Sequence, residues 1–168
     1  EIASCLVGSE MCIRDSCKTV QQQAQNDPNI IMTDYVVGDP LKALYSSCGL
    51  FVLPSHTEGL SLSLLEALSI GARCLVSDIP ENTVVTDIYG AAFTPEDTDD
   101  LARALEQEFA QEYPDAMRQQ QIQYIHTNFE YEVMLDRYEE VYHHVVGDPL
   151  KAMPSTLKKK KVPAGAKA

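Results

Sequence analysis

Two short apolar runs in the middle of the chain constrain its fold more than any other feature. They read GLFVLP (Gly49–Pro54) and RCLVS (Arg73–Ser77), and neither alternates between apolar and polar residues. A run without alternation is typical of a strand that is covered on both faces, as in a parallel sheet. The segment between the two runs reads as a helix that ends at Gly71. Strand and helix therefore alternate, which predicts an α/β fold with a parallel sheet.

Further elements continue this alternation on both sides. IIMTDYV (Ile30–Val36) is rich in strand-forming residues, and GAAF (Gly90–Phe93) predicts a brief strand. Asp39 before Pro40 is the predicted N-cap of one helix, and Thr98 that of another. The predicted helices therefore run from Asp39 to about Ser47, briefly after Asp78-Ile79-Pro80, from Thr98 onward, around Pro114–Thr127 and over Glu130–Val146.

The N-terminal residues show no periodicity of helix or strand. CLVGSEMCIRDS (Cys5–Ser16) resembles the conceptual translation of a transposase-based sequencing adapter through all twelve residues. No basic start precedes a continuous apolar stretch, so the segment does not read as a secretory signal. We expect residues 1–16 to be unstructured and the folded domain to cover residues 17–146. On this interpretation, the natural sequence before Cys17 is lost.

The C-terminal residues also differ from the middle. From Gly147 the apolar pattern stops, and residues 147–168 predict a disordered, lysine-rich tail. The run Lys158–Lys161 reads as solvated tail, with peripheral contact to anionic lipid as the alternative. The octapeptide VVGDPLKA occurs at Val36–Ala43 and again at Val145–Ala152, without the period of 20–50 residues that a repeat fold requires.

Charge and cysteine content narrow the class of protein. The net charge is −12, which argues against general nucleic-acid binding because that function needs a basic footprint. The five cysteines include no CxxC pair, so a zinc site is not expected. Cys48 and Cys74 lie beside strand-like runs and read as reduced, buried thiols, which indicates a cytoplasmic protein.

Two glutamates stand inside the most apolar segment, PSHTEGLSLSLLEALSIG. Glu58 and Glu66 have seven residues between them and follow the predicted strand Gly49–Pro54. Ligands of open α/β sheets bind where such loops leave the carboxyl ends of strands. A helix N-terminus there suits a phosphate, and Gly59 allows close approach to the backbone. Ionised carboxylates accept hydrogen bonds from hydroxyls, so the combination describes a sugar nucleotide.

A purely structural interpretation of the same residues stays open. Ser63-Leu-Leu-Glu66 matches a capping box, in which Glu66 would satisfy a backbone donor. Glu58 could simply complement the helix dipole. His56 is expected to be a loop histidine, because no nucleophile or orienting acid stands beside it in the sequence.

The segment LFVLPSHTEGLSLSLLEALSIGARCLVSDIPEN (Leu50–Asn82) resembles the donor-binding core of family 4 glycosyltransferases, which have the GT-B fold. The family motif is a Glu, seven residues and a second Glu after an apolar strand that ends in Pro-Ser. The similarity extends over roughly Cys17–Val146. It implies the C-terminal half of a GT-B fold, with a Rossmann-like parallel sheet and flanking helices. Arg73 stands where the family commonly has Pro.

The resemblance also implies roles for the matching positions. Glu58 would bind hydroxyls of the donor sugar and act in catalysis, and Glu66 would hold the ribose hydroxyls. Backbone amides would contact the sugar and the diphosphate, and the base would lie beside a strand-to-loop pair. The residues given these two further roles are Gly59, Leu60 and Ser61 for the amides, and Tyr35 and Val36 for the base.

The implied activity is transfer of a hexose from a nucleotide diphosphate with retention of configuration, without metal or other cofactor. The acceptor-binding N-terminal domain and a basic pair that holds the diphosphate would be missing, so the chain alone is expected to be inactive. Two other functions remain open: a sugar-nucleotide epimerase of the same fold, and a non-catalytic module that binds nucleotide sugars.

Overall fold

The structure, a computed structural model, describes residues 4–7, 20–33 and 36–146. The chain comprises two compact units, Glu1–Leu44 and Tyr45–Ala168. In the first unit, β1 (Ser4–Val7) pairs in parallel with β2 (Ile30–Thr33), with Ser4 opposite Ile30. Residues 20–24 are helical and lead to β2 through a turn. Helix α1 (Asp39–Ser47) crosses the division between the units.

Strand β1 lies within residues 1–16, the segment that is expected from the sequence to be unstructured. Its four residues pair with four consecutive residues of β2. A strand this short displays no alternation that sequence reading could detect. Its pairing uses backbone N–H and C=O groups, which almost every residue type supplies. The part of the segment that the structure describes therefore forms a strand.

The second unit is built on three parallel strands. They are β3 (Phe51–Leu53), β4 (Cys74–Ser77) and β5 (Gly90–Phe93), and β4 lies in the centre. Phe51 is opposite Cys74, which is in turn opposite Gly90. The helices that follow or separate these strands are α2 (Leu62–Ser69), α3 (Pro80–Thr86), α4 (Thr98–Ala110), α5 (Asp115–Phe129) and α6 (Tyr131–Val146). The predicted α/β class with a parallel sheet is confirmed.

The core of this unit lies around β4. All four residues of β4 are buried, as predicted for a strand that is covered on both faces. Helix α2 buries Leu64, Ala67 and Leu68, which lie on one face because they are three and four residues apart. The residues of β3 are only half-buried, which corrects the same prediction for that strand. Within the described sheet, β3 pairs with β4 alone and is an edge strand.

Helix α5 fixes the position of α2. The side-chain amide of Gln121, which is fully buried, donates hydrogen bonds to the carbonyl oxygens of Leu68 and Ala72 at 2.9 and 3.0 Å. Leu68 lies in the last turn of α2, and its carbonyl also accepts from the N–H of Gly71 at 3.0 Å, whereas Ala72 lies three residues beyond the helix. Gln121 Oε1 accepts a hydrogen bond from the Tyr113 hydroxyl. The Gln121 side chain therefore joins α5 to the last turn of α2 and to the segment that follows it.

Two predicted helix caps are wrong by one residue. The side chain of Asp97, not Thr98, accepts from the backbone N–H groups of Asp99 and Asp100 at 3.1 and 2.9 Å. Helix α1 already includes Asp39, because the carbonyl of Gly38 accepts from the N–H of Lys42. In both places two adjacent residues are suitable caps, so residue type alone does not identify the one that is used.

Several predictions fall outside the described residues. They concern Tyr35, the tail over 147–168 and its contact with lipid, all of which remain predictions. Among the helices that the structure describes, none is long and apolar enough to cross a membrane.

Candidate functional site

Three loops meet at the carboxyl edge of the sheet in the second unit. One follows β3, one follows β4 and one follows β5, and parallel strands bring these ends to the same side. The Ser77 hydroxyl at the end of β4 donates to the carbonyl of Ser55 in the first loop at 2.5 Å. The N–H of Asp78 donates to the carbonyl of Phe93 at 2.8 Å. The predicted site residues from Glu58 to Ser61 lie in the first of these loops, and Glu66 lies in the helix that follows it.

Glu58 is held within its own loop. The Ser55 hydroxyl donates to Glu58 Oε1 at 2.6 Å, and the glutamate is half-buried. A short hydrogen bond to an ionised carboxylate is among the stronger kinds of hydrogen bond. It uses one lone pair of one oxygen, whereas an ionised carboxylate has about four acceptor positions. Glu58 is thus oriented by Ser55 and retains acceptor capacity for hydroxyl donors.

A buried polar pair lies beneath this loop. The side-chain nitrogen of Asn82 donates to Ser77 Oγ at 3.1 Å and to the Ser77 carbonyl at 3.4 Å. Asn82 is fully buried and Ser77 is nearly so, at 0% and 1% exposure. Among the described residues, Asn82 Oδ1 has no hydrogen-bond partner. An unpaired buried acceptor costs about 1–3 kcal/mol, so this amide is retained at a cost to stability.

The first turn of α2 excludes the capping interpretation of Glu66. The helix begins at Leu62, and the N-cap is Ser61, whose hydroxyl accepts from the N–H of Leu64 at 3.4 Å. Ser63 is therefore already inside the helix and cannot act as the N-cap of a capping box. Glu66 lies in the second turn with an exposed side chain, too far along for the N3 position of such a box.

Glu66 has an electrostatic neighbour in Tyr45. Burial, and after it the negative charge of Glu66, raise the pKa of the Tyr45 hydroxyl above its ordinary value. The Tyr45 ring packs edge-on against Phe51 of β3, with the ring centroids 5.5 Å apart. The Glu66 carboxylate is thus near enough to Tyr45, in α1, to interact with its hydroxyl electrostatically.

The residues between the two glutamates differ in accessibility. Gly59 is exposed, and a Cβ placed on it would meet nothing within 4 Å. Leu60 is 45% exposed, whereas Ser61 is buried at the helix start. The loop is therefore exposed at Gly59 and Leu60 and becomes buried at Ser61, where α2 is capped.

His56 has a partner that sequence reading missed. Its Nδ1 lies 3.4 Å from Glu96 Oε1, and both side chains are largely exposed. Glu96 precedes α4 and has a positive φ of 65°, a conformation uncommon for residues other than glycine. The pair borders a cavity of about 180 Å³ that is also lined by Phe93 and Leu101. Glu58, Gly59 and Glu66 are not among the residues that line this cavity.

The remaining predicted residues lie elsewhere. Val36 is half-buried in the first unit, and Tyr35 lies outside the described residues. Cys48 and Cys74 are free thiols; Cys74 is buried as predicted, whereas Cys48 is only half-buried. Burial raises the pKa of both thiols. Within the described ranges, no three His, Cys, Asp or Glu side chains are grouped as a metal ion would need.

A family model described as glycosyl transferases group 1 matches residues 2–111, a range that includes β1 and the whole segment with the two glutamates. The chain belongs to the group 1 glycosyltransferases. This confirms the family that the sequence resembles.

Relatives of this chain include three Escherichia coli proteins described as serotype-specific mannosyltransferase WbdA. Each is 40% identical over 83 residues, a stretch that covers 49% of the chain and 10% of the relative. The chain thus spans about a tenth of the length of these curated relatives.

Two solved structures share the fold. A glycosyltransferase from Rickettsia africae ESF-5 has a TM-score of 0.76 at 15% identity, over 88% of this chain and 41% of that one. Sucrose-phosphate synthase from Thermosynechococcus elongatus has a TM-score of 0.70 at 19% identity, over 85% of this chain and 38% of that one. These similarities confirm the predicted GT-B fold class.

Proposed function

We propose that the chain is the donor-binding part of a glycosyltransferase and takes a nucleotide-diphosphate sugar at the loop that follows β3. In this proposal Glu58 accepts hydrogen bonds from hydroxyls of the donor sugar and is the catalytic residue. Glu66 accepts from the ribose hydroxyls, while the backbone amides of Gly59, Leu60 and Ser61 contact the sugar and diphosphate. Tyr35 and Val36 remain the proposed neighbours of the base.

The observation that carries the proposal is the state of the two carboxylates. Glu66 is exposed in the second turn of α2 and is not a helix cap. Glu58 is oriented by Ser55 and retains free acceptor positions. Two carboxylates that the fold does not use for capping, at the carboxyl edge of a parallel sheet, suit a ligand rich in hydroxyl groups.

The proposed reaction transfers a hexose with retention of configuration, and the mannosyltransferase relatives make mannose the first donor sugar to examine. The partial positive charge and backbone N–H groups at the start of α2 would stabilise the departing diphosphate, in a reaction that needs no metal or other cofactor. The proposed site of action is the cytoplasm.

We further propose that the chain alone does not transfer sugar. The chain covers 41% and 38% of the lengths of its two structural neighbours. Cleft enzymes align both substrates, and alignment lowers barriers by about 7–11 kcal/mol. The test is an activity assay on the purified chain with a boiled sample as the control. Release of nucleoside diphosphate together with a glycoside product, above that control, would contradict this second proposal.

Binding to the purified chain tests the donor site. GDP-mannose and UDP-glucose serve as probes in an NMR-monitored titration, which detects millimolar affinities. Glu58→Gln and Glu66→Gln each remove a charge with little change of shape and are expected to weaken binding at least about fivefold. Glu106→Gln, at an exposed position of α4, is the matched control and should bind as the unchanged chain does. Absence of binding to both probes would refute the proposal.

A further inference from the structure

We infer that Asn82 and Ser77 are positioning residues that hold the Glu58 loop in the geometry that binds the donor sugar. This inference rests on the proposed function and assigns no contact with substrate to either residue. It concerns a chain of three hydrogen bonds, from Asn82 to Ser77, from Ser77 to Ser55 and from Ser55 to Glu58.

The direction of each bond follows from the donors that are present. Asn82 donates from its side-chain nitrogen to Ser77 Oγ at 3.1 Å. The single hydroxyl proton of Ser77 is then directed at the Ser55 carbonyl, 2.5 Å away. The Ser55 side chain donates to Glu58 Oε1 at 2.6 Å. Each donor has one main acceptor, so a change at Asn82 reaches Glu58 through the backbone of Ser55.

The burial of Asn82 supports this role. Its side chain is fully buried, yet Oδ1 has no partner among the described residues. A leucine has nearly the same shape and would avoid the unpaired acceptor. A buried amide that leaves one of its two polar atoms unpaired therefore indicates that the N–H donors are what the position requires.

The loop has little else to hold it. His56 pairs with Glu96, but both side chains are exposed, at 64% and 79%. Exposed pairs of this kind contribute little to stability. A Cβ added at Gly59 would meet no atom within 4 Å, so the loop is not packed against other residues at this position. The Ser77–Ser55 hydrogen bond is partly buried and joins this loop to the end of β4.

The test compares ligands that differ in the sugar. GDP-mannose is paired with GDP, and UDP-glucose with UDP, because the nucleoside diphosphates retain the base, the ribose and both phosphates and lack only the donor sugar. In Asn82→Leu and Ser77→Ala, the affinity gained from the sugar should fall about fivefold or more, while the affinity for the nucleoside diphosphate stays unchanged. Loss of general stability would lower both affinities together.

Two controls separate positioning from packing. Thr86 is 2% exposed, lies on α3 with Asn82, and donates to the Asn82 carbonyl at 3.2 Å without reaching the loop. Thr86→Val should leave unchanged the ratio between the affinity for the sugar nucleotide and the affinity for the matching nucleotide without the sugar. Adding Asn82→Leu to Glu58→Gln should cause no further loss, because both changes remove the same contact. If Asn82→Leu does not fold, Ser77→Ala carries the same comparison.

The possible failures are distinguishable. If the unchanged chain binds a sugar nucleotide and both Asn82→Leu and Ser77→Ala keep its ratio of affinities, this inference is wrong and the proposed function stands. An equal loss in Thr86→Val would also overturn it. If the unchanged chain binds neither sugar nucleotide, the proposed function fails and the role given to Glu58 fails with it.

Discussion

Arg73 Nε donates to Glu108 Oε2 at 2.6 Å and so joins the start of β4 to α4. Both side chains are largely covered, at 12% and 14% exposure. Arg73 also donates to the carbonyl of Gln111 at 2.8 Å and lies over the ring of Tyr113, 5.5 Å from its centre. The arginine found where the family commonly has proline therefore contacts α4 and the segment after it.

Arg73→Ala should destabilise the fold by on the order of 3 kcal/mol, because it leaves Glu108 covered and without its cation. The free energy of unfolding from urea titration measures this loss. Arg73→Leu combined with Glu108→Leu should recover much of it, since no unpaired charge remains. The control is Arg103, which pairs with Asp100 and has an exposed side chain. Arg103→Ala should lower the free energy of unfolding by less than about 1 kcal/mol. Equal losses in the two single variants would contradict this account.

Gly71→Ala should destabilise the protein by at least about 1–2 kcal/mol. Gly71 has a φ of 83°, and an added Cβ would lie 2.5 Å from Arg118 Cγ and 3.0 Å from Ile122 Cδ1. The left-handed conformation alone accounts for about 1–2 kcal/mol, and the contact with α5 adds to it. Gly59→Ala is the matched substitution in open space and should cost much less. Thermal unfolding of both variants distinguishes the two positions.

The helix caps give a paired prediction about α4. Asp97→Ala removes the side chain that accepts from two backbone N–H groups and should cost about 1 kcal/mol. Thr98→Ala should change the free energy of unfolding by only a few tenths of a kcal/mol, because Thr98 is exposed and already inside the helix. Urea unfolding of the two variants measures the difference. A larger loss in Thr98→Ala would restore the cap predicted from the sequence.

Asp100 should make stability depend on pH in the acid range. The hydrogen bonds from Thr94, and then the charge of Arg103, hold the pKa of Asp100 below its ordinary value. The pKa of Asp in the unfolded state is about 4. Because the pKa in the folded state is lower, Asp100 stabilises the fold fully above about pH 4, and this contribution is lost as the pH falls through the folded-state pKa. Asp100→Asn should therefore be less stable than the unchanged chain at pH 7, with the difference shrinking below about pH 4. A difference independent of pH would exclude this contribution.

Local patterns in the sequence predict the elements of the second unit well. The runs around β4 and β5, and the helices around α3, α5 and α6, lie within a few residues of their predicted positions. Each depends on apolar runs and on turn residues that are close together in the chain. The positions of Glu58 and Gly59 in the loop after β3 could be predicted for the same reason.

The contacts that fix the site could not be predicted, because they join distant parts of the chain. Ser77 and Ser55 are 22 residues apart, and Arg73 and Glu108 are 35 apart. Such pairs become neighbours only when parallel strands set their register. One signal for Ser77 does exist in the sequence: it is the polar residue that ends the otherwise apolar run CLVS.

Glu66→Ala distinguishes a ligand contact from a structural role. Because Ser61 caps α2 and Glu66 lies in the second turn, the free energy of unfolding should stay the same or rise by a few tenths of a kcal/mol, since alanine is the better helix former. The pKa of the Tyr45 hydroxyl should fall toward its ordinary value, because the negative charge that helps to raise it is removed. Spectrophotometric titration of the tyrosines against a Tyr45→Phe reference measures this shift. Binding of GDP-mannose should weaken although stability is retained. A loss of about 1 kcal/mol in stability with unchanged binding would return Glu66 to the role of a helix cap.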